Sequence, residues 1–325
     1  MKILVVGGAG FLGSNLVRYC LHQPGNEVTV LDSLEPHLKA NTNNLHDVWD
    51  EIKFIRGSMG DEQLIAEVVQ GQDVIFNCAA QTSHPLSIQN PLFDAEVNCL
   101  GNLKLLEAVR LLNPRAIVVY SSSSTVIGKA VGELVDEDHG ERPLDIYSAN
   151  KGVAEKYYRI YNRVHGLKTI VLRFANLFGP YGKSYPEFGF INYFISLAAA
   201  NEAIKVYGVG NQTRNVLYAE DAAEIMYQSV AEPRLIGETY FAVGDEHLTV
   251  REIAQTIVEV YGKGKIEEIE WPEERARIEV GRVMFSSARI RKILDWHPKY
   301  TLRSGLTRMR QLSEKNKEEL AWQKS

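Results

Sequence analysis

The chain has 325 residues, more than one average domain, and two lobes packed across a cleft account for that length. Hydrophobic residues make up 45% and charged residues 24%, proportions of a globular protein that exclude disordered and collagen-like chains. The formal net charge of −5 is spread along the chain, which leaves no basic stripe for nucleic acid and no basic amphipathic helix for a membrane surface.

In chain order, Ile3 to Val6, Val28 to Leu31, Phe54-Ile55, Val74 to Phe76, Ile117 to Tyr120 and Ile170 to Leu172 are short apolar runs that predict strands. Between them, Leu12 to Leu21, Gln63 to Val69, Asn98 to Leu112 and Tyr147 to His165 carry apolar residues at helical spacing. Fully apolar strands alternating with helices imply an α/β fold, a doubly wound parallel sheet of the Rossmann type covered on both faces. After Arg173 the texture changes: Gly179-Pro180-Tyr181-Gly182 and Tyr185-Pro186 break the chain before a helix from Phe190 to Ala200. A strand around Val206 and helices from Ala219 to Val230 and Val250 to Tyr261 follow, and the polar tail from Ser313 to Ser325 reads as helical or frayed.

The expected division is a sheet domain of residues 1–176 plus about 204–232, and a smaller α+β lobe of about 177–203 and 233–325. No apolar run approaches the ~20 residues needed to cross a bilayer, and Met1-Lys2-Ile3-Leu4 enters a strand pattern directly, so the expected location is the cytoplasm. Cys20, Cys78 and Cys99 are widely spaced among apolar neighbours and read as small buried hydrophobes; no metal site is expected.

Gly7-Gly8-Ala9-Gly10-Phe11-Leu12-Gly13 follows the first strand and opens the first helix, where a dinucleotide-binding loop belongs. Glycines here permit positive φ, let the backbone approach a pyrophosphate and bring helix against strand, while the helix N-terminus offers free amides. Asp32 ends the second strand about twenty residues on, placed to accept hydrogen bonds from the adenine ribose and to repel a 2′-phosphate, which favours NAD over NADP. A loop-capping carboxylate is the plainer alternative for Asp32.

Tyr147-Ser148-Ala149-Asn150-Lys151 sets a phenol and an ammonium four residues apart on one helix face. A lysine and a positive nicotinamide ring both stabilise a phenolate, which turns a poor base into a usable one. Ser121 to Ser124 and Thr125 follow a strand, at the sheet edge where open α/β folds bind ligands, although no spacing rule says which hydroxyl acts.

These residues, together with Asn77-Cys78-Ala79-Ala80-Gln81, Val97-Asn98-Cys99-Leu100-Gly101 and Arg173-Phe174-Ala175-Asn176-Leu177-Phe178-Gly179-Pro180, resemble the extended short-chain dehydrogenase/reductase family, in its NAD-dependent nucleotide-sugar epimerase/dehydratase group. The resemblance covers nearly the whole chain and is of the UDP-glucose 4-epimerase kind. It implies Ser123, Tyr147 and Lys151 as catalytic residues and NAD as cofactor. It further implies NAD contacts from Gly7, Gly10, Phe11, Leu12, Gly13, Asp32, Ser58, Met59, Cys78, Ala79, Ala80, Thr82, Asn98, Tyr147, Lys151 and Phe174. Thr125, Asn176 and Arg214 are the implied contacts to a nucleotide-diphosphate sugar, with Arg214 clamping the diphosphate through its two-pronged fork. The long helices around Asn98 to Leu112 and Ala149 to His165 match the pair that forms a homodimer in this family.

Four positions depart from the family pattern: Ser58 for an aspartate, Asn77 for a histidine, Ile127 for a tyrosine, and Ile278-Glu279 for a Gly-Asp pair. Arg275, Arg277 and Arg282 compete for the role of a second phosphate-binding arginine. The family's 4,6-dehydratases carry an acidic pair directly after the catalytic hydroxyl, where this chain has Ser124-Thr125, so dehydration lacks its acid and epimerisation at C4 is the expected reaction. The run from Asn77 to Ser83 also resembles CDP-sugar 2-epimerases, a keto-sugar reductase is a further alternative, and a non-catalytic NAD-binding scaffold or sensor is the rival from outside enzymes.

Overall fold

The computed structural model describes residues 1–132 and 134–322. Strand β1 (Lys2–Val6) leads through the glycine loop into α1 (Phe11–Leu21), and β2 (Glu27–Asp32), β3 (Ile52–Arg56), α2 (Glu62–Val68) and β4 (Val74–Asn77) follow. Next come two short helices, α3 (His84–Gln89) and α4 (Pro91–Ala95), a π-helical turn at Glu96–Leu100, α5 (Gly101–Leu112), β5 (Ile117–Ser123), β6 (Leu134–Val135), α6 (Ile146–His165) and β7 (Lys168–Phe174). The remainder comprises β8 (Asn176–Phe178), α7 (Phe190–Ala199), β9 (Ala203–Tyr207), β10 (Thr213–Tyr218), α8 (Ala219–Ser229), β11 (Thr239–Phe241), β12 (His247–Thr249) and α9 (Val250–Tyr261). It closes with β13 (Lys265–Ile269), α10 (Glu273–Arg277), β14 (Met284–Phe285), α11 (Ala288–Leu294) and α12 (Leu302–Trp322).

Seven parallel strands form the main sheet in the order β11-β7-β5-β4-β1-β2-β3. Successive side chains point to opposite faces of a strand, so the wholly buried run of β1 divides between two cores. Ile3 and Val5 pack with Leu16 and Val17 of α1 and with Ala222 and Met226 of α8, whereas Leu4 and Val6 pack with Leu105 and Val109 of α5 and Tyr158 of α6. Strand order reverses between β1 and β4, and the carboxyl ends of the strands there border a crevice, the usual ligand position in such sheets.

A third core lies in the second lobe, where Phe194 and Ile195 of α7, Ile253 and Ile257 of α9 and Leu302 and Leu306 of α12 surround Ile204 and Val206 of β9. Two expected assignments change here. Thr239–Phe241, placed by sequence in the second lobe, is β11, the edge of the main sheet, where its backbone pairs with β7 and its side chains are buried. Conversely β9, placed in the sheet domain, pairs with β13 in a two-stranded ribbon of the second lobe. Its alternation of buried Ile204 and Val206 with exposed Lys205 suits a half-covered surface and not a sheet buried on both faces. Strand β10 likewise lies between β8 and β12 in a small three-stranded sheet.

Helices α3 and α4 have no counterpart in the apolar pattern; each starts at a side-chain cap, Ser83 or Asn90, with a proline in the first turn. The polar tail is helical through Trp322 as the last part of α12, and residues 323–325 of the expected tail lie outside the described residues. No helix among the described residues is long and apolar enough to cross a membrane.

Candidate active site

A cavity of about 670 Å³ opens over the carboxyl ends of β1, β4 and β5 and is closed on its far side by the second lobe. Gly7, Gly10, Phe11, Leu12 and Gly13 form one end. Gly7 has φ +78°, and a Cβ on Gly13 would stand 2.1 Å from the Gly7 carbonyl oxygen, so the helix approaches the loop as closely as only glycine allows. Helix α1 has no side-chain cap at Gly10, which leaves its first amides for an anion in the cavity.

Asp32 stands beside this loop and caps it. Its carboxylate accepts from the backbone amides of Ala9 at 3.0 Å and Leu34 at 2.9 Å, bracing the loop, and it also lines the cavity. Burial pushes its pKa up, against the two amides and the charge of Lys183. Lys183 comes from the second lobe, lines the same cavity, and is held down at about 8 by burial with Asp32 opposing. Sequence reasoning did not single it out.

Along the wall, Ser58, Met59, Cys78, Ala79, Ala80, Thr82 and Phe174 all face the cavity. Burial lifts the Cys78 thiol to about 12, which leaves it inert as a nucleophile. Asn98 does not reach the cavity: it is fully buried at the π-helical turn, and its Nδ2 donates to the Gln81 carbonyl at 2.8 Å. That bond ties the π-helical turn to the Ala79-to-Gln81 stretch. Asn77, where the family has histidine, is also buried, donating to Asn102 Oδ1 at 2.8 Å and to the Tyr158 hydroxyl at 3.1 Å.

Helix α6 begins at Asp145, whose Oδ1 accepts from the Ser148 amide at 2.8 Å, and one face of its first turns carries Tyr147 and Lys151 into the cavity. Lys151 Nζ donates to the Ser121 carbonyl at 2.6 Å and lies 4.2 Å from the Tyr120 ring centroid. Burial depresses it to about 8, although Glu155 one turn further pulls the other way. Burial raises the Tyr147 phenol, and the adjacent Ser123 hydroxyl opposes this.

Ser121 to Ser124 all line the cavity, but Ser121 donates to the Asn77 carbonyl at 3.1 Å and Ser122 to Glu155 at 2.5 Å, so both of these hydroxyls already have protein partners. Ser123 instead shares a 2.8 Å hydrogen bond with Thr125 Oγ1. Behind them, Glu155 also accepts from Arg173 Nε at 3.0 Å and Nη2 at 2.6 Å, a buried ion pair that fixes β7 against α6.

On the second-lobe side, Asn176 lines the cavity and donates to the Asn215 carbonyl at 2.9 Å. Arg214 lines it too, but its fork is engaged: Nη2 reaches both Glu279 oxygens at 2.8 Å and Nη1 the carbonyls of Thr213 and Gly281 at 2.9 and 3.2 Å. To clamp a diphosphate, Arg214 must exchange Glu279 for it. Arg282 borders an adjoining shallow cleft with Trp271 and Asn211, whereas Arg277 is exposed and paired with Glu273.

The main sheet, the uncapped glycine loop and the terminal Asp32 together define a dinucleotide-binding fold of the Rossmann type, with Ser123, Tyr147 and Lys151 lining the same cavity. The chain belongs to the NAD dependent epimerase/dehydratase family, whose model matches residues 3–244, and its cofactor is NAD. It is 30% identical to a CDP-paratose 2-epimerase of Salmonella typhi over 95% of this chain and 98% of that one. A UDP-glucose 4-epimerase from Thermotoga maritima, solved with UDP-glucose, is similar with a TM-score of 0.87 and 26% identity, covering 97% of this chain and 99% of that one. A dTDP-glucose 4,6-dehydratase from Bacillus anthracis in complex with NAD gives 0.84 and 29%, covering 98% of each chain.

Proposed function

We propose that the protein epimerises a nucleotide-diphosphate sugar, at C4, through a transient ketone. The observation that carries this reading is Ser123, Tyr147 and Lys151 side by side on one cavity wall, with hydroxyls and not carboxylates at Ser124 and Thr125. NAD, when bound along Gly7 to Gly13 and Asp32, supplies the acceptor that takes hydride from the sugar carbon and returns it. Tyr147 takes the proton of the sugar hydroxyl as the carbon is oxidised and returns it to the ketone oxygen afterwards. Lys151 lowers the cost of the phenolate by its charge, and Ser123 with Thr125 orients the reacting oxygen. Asn176 and Arg214 hold the diphosphate while the sugar turns to present its other face.

A homodimer through α5 and α6 accompanies this reading, supported by Leu111, Leu112, Ile160 and Val164, which are between 45% and 65% exposed on those helices. UDP-, GDP-, CDP- and dTDP-sugars, each assayed for an equilibrium between two epimers, test the reaction. Tyr147→Phe should lower kcat by about 100-fold or more with NAD affinity nearly unchanged. A 4-keto-6-deoxy product from the wild-type protein would refute epimerisation in favour of dehydration, and near-normal turnover by the variant would refute the role of Tyr147.

A further inference from the structure

His84 stands at the start of α3, just after the Ser83 cap, and lines the catalytic cavity. Its Nδ1 is 2.6 Å from Asp145 Oδ2, and its ring lies edge-on to the Tyr147 ring with centroids 4.9 Å apart. Asp145 is therefore bound at both oxygens, by the imidazole and by the Ser148 amide at the cap of α6. Burial pushes that carboxyl up, but the bonds from His84 and Ser148 outweigh burial and leave it below its ordinary value.

A carboxylate at Oδ2 accepts, so Nδ1 carries the ring's proton and the lone pair of the neutral imidazole falls on Nε2. Nε2 has no hydrogen-bond partner among the described residues, and the side chain is 33% exposed. The arrangement is that of an oriented general base, with the carboxylate fixing tautomer and ring and stabilising the imidazolium that forms on protonation. Removal and return of the hydroxyl proton is already served by Tyr147. What a ketone adds is acidity at the hydrogens on its neighbouring carbons.

We propose that His84, oriented by Asp145, is a second proton-transferring residue of the site and exchanges the hydrogen on a sugar carbon next to the transient ketone. Nε2 takes that proton, the C–H electron pair becomes the second bond between the two carbons, and the ketone oxygen becomes an enolate oxygen facing the Tyr147 phenol. The imidazolium then returns a proton to the carbon and the C=O is restored, so atoms and electrons balance. Solvent access to Nε2 makes the returned proton a solvent proton. This rests on the oxidation proposed above and adds an outcome to it, inversion at the carbon beside the oxidised one.

The test is incubation of the NAD-loaded protein in D2O with UDP-, GDP-, CDP- and dTDP-glucose, following reduced cofactor by absorbance and deuterium on sugar carbons by NMR and mass spectrometry. Wild-type protein should place deuterium beside the oxidised carbon. His84→Asn, whose amide still reaches Asp145, should lower deuterium per reduced cofactor by about 100-fold. Asp145→Asn, which retains a capping oxygen for α6, should lower it by about tenfold. Proton NMR without substrate should show a downfield Nδ1 proton that disappears in His84→Asn. Reduced cofactor without deuterium in the wild type, or equal exchange in His84→Asn, would overturn the His84 step alone. The joint absence of an epimer, of deuterium on carbon and of reduced cofactor with all four sugars would overturn the oxidation and the His84 step together.

Discussion

Replacing Gly13 by alanine sets two effects of opposite sign against each other. Alanine is better than glycine inside a helix by about 0.8–1 kcal/mol, so propensity alone forecasts a more stable protein. The added methyl, however, would lie 2.1 Å from the Gly7 carbonyl oxygen and 2.7 Å from Gly8 Cα, both backbone atoms that no rotamer change can withdraw. Overpacking costs about 1–3 kcal/mol, and rigid partners put this site at the upper end, for a net loss of about 1–2 kcal/mol. Because the loop must back away from the helix, the amides that meet the pyrophosphate shift as well, and NAD affinity should fall by about tenfold or more, equivalent to 1.4 kcal/mol. Thermal melts and NAD titrations measure both effects. Gly152→Ala is the control: in the interior of α6 its methyl would meet only the ends of side chains, the Glu141 carboxylate at 3.0 Å and the Lys156 ammonium at 3.7 Å, and should leave the melting temperature unchanged or higher. A Gly13→Ala protein that melts at or above the wild type and binds NAD equally well would refute the close-approach account.

Glu279→Gln tests whether Arg214 is a diphosphate clamp in waiting. Removing the competing charge should tighten binding of UDP or dTDP by about fivefold, equivalent to about 1 kcal/mol, and Arg214→Ala should weaken it; calorimetry showing no change in either variant would remove Arg214 from the site. Lys151 carries its charge below about 8 and loses it above, against an ordinary 10.5, so an activity that needs the ammonium is full on the acid side and lost as pH rises through that value. A kcat profile still flat at pH 9.5 would contradict that assignment of charge.

The main sheet was legible because strands buried on both faces leave unbroken apolar runs, and the helices between them because their apolar residues recur at helical spacing. The short strands left no such trace. Thr239–Phe241 is three residues long, and its place at the edge of the main sheet depends on β7, far away in sequence. Glycine loop, Asp32, Tyr147 and Lys151 were readable since each is fixed by a local spacing. Ser123 differs from Ser121 and Ser122 only through the partners the others find on Asn77 and Glu155, which no local pattern encodes. Pairing of Arg214 with Glu279, and of His84 with Asp145, joins segments about 60 residues apart, so composition and periodicity were silent on both. For Asp145 a sequence cue did exist: an acidic residue just before an apolar helical repeat marks a helix start.

The place of β11 in the main sheet bears on how the protein can be divided. A fragment ending at residue 176 would leave β7, a seven-residue strand, with one bare edge of unpaired amides and carbonyls, since β11 is its neighbour on that side. Such an edge recruits other chains, so the amino-terminal fragment should precipitate on expression instead of folding as a free-standing cofactor binder. The two lobes are thus joined by more than a linker: the carboxyl-terminal part of the chain supplies a missing plank of the floor on which the amino-terminal part stands.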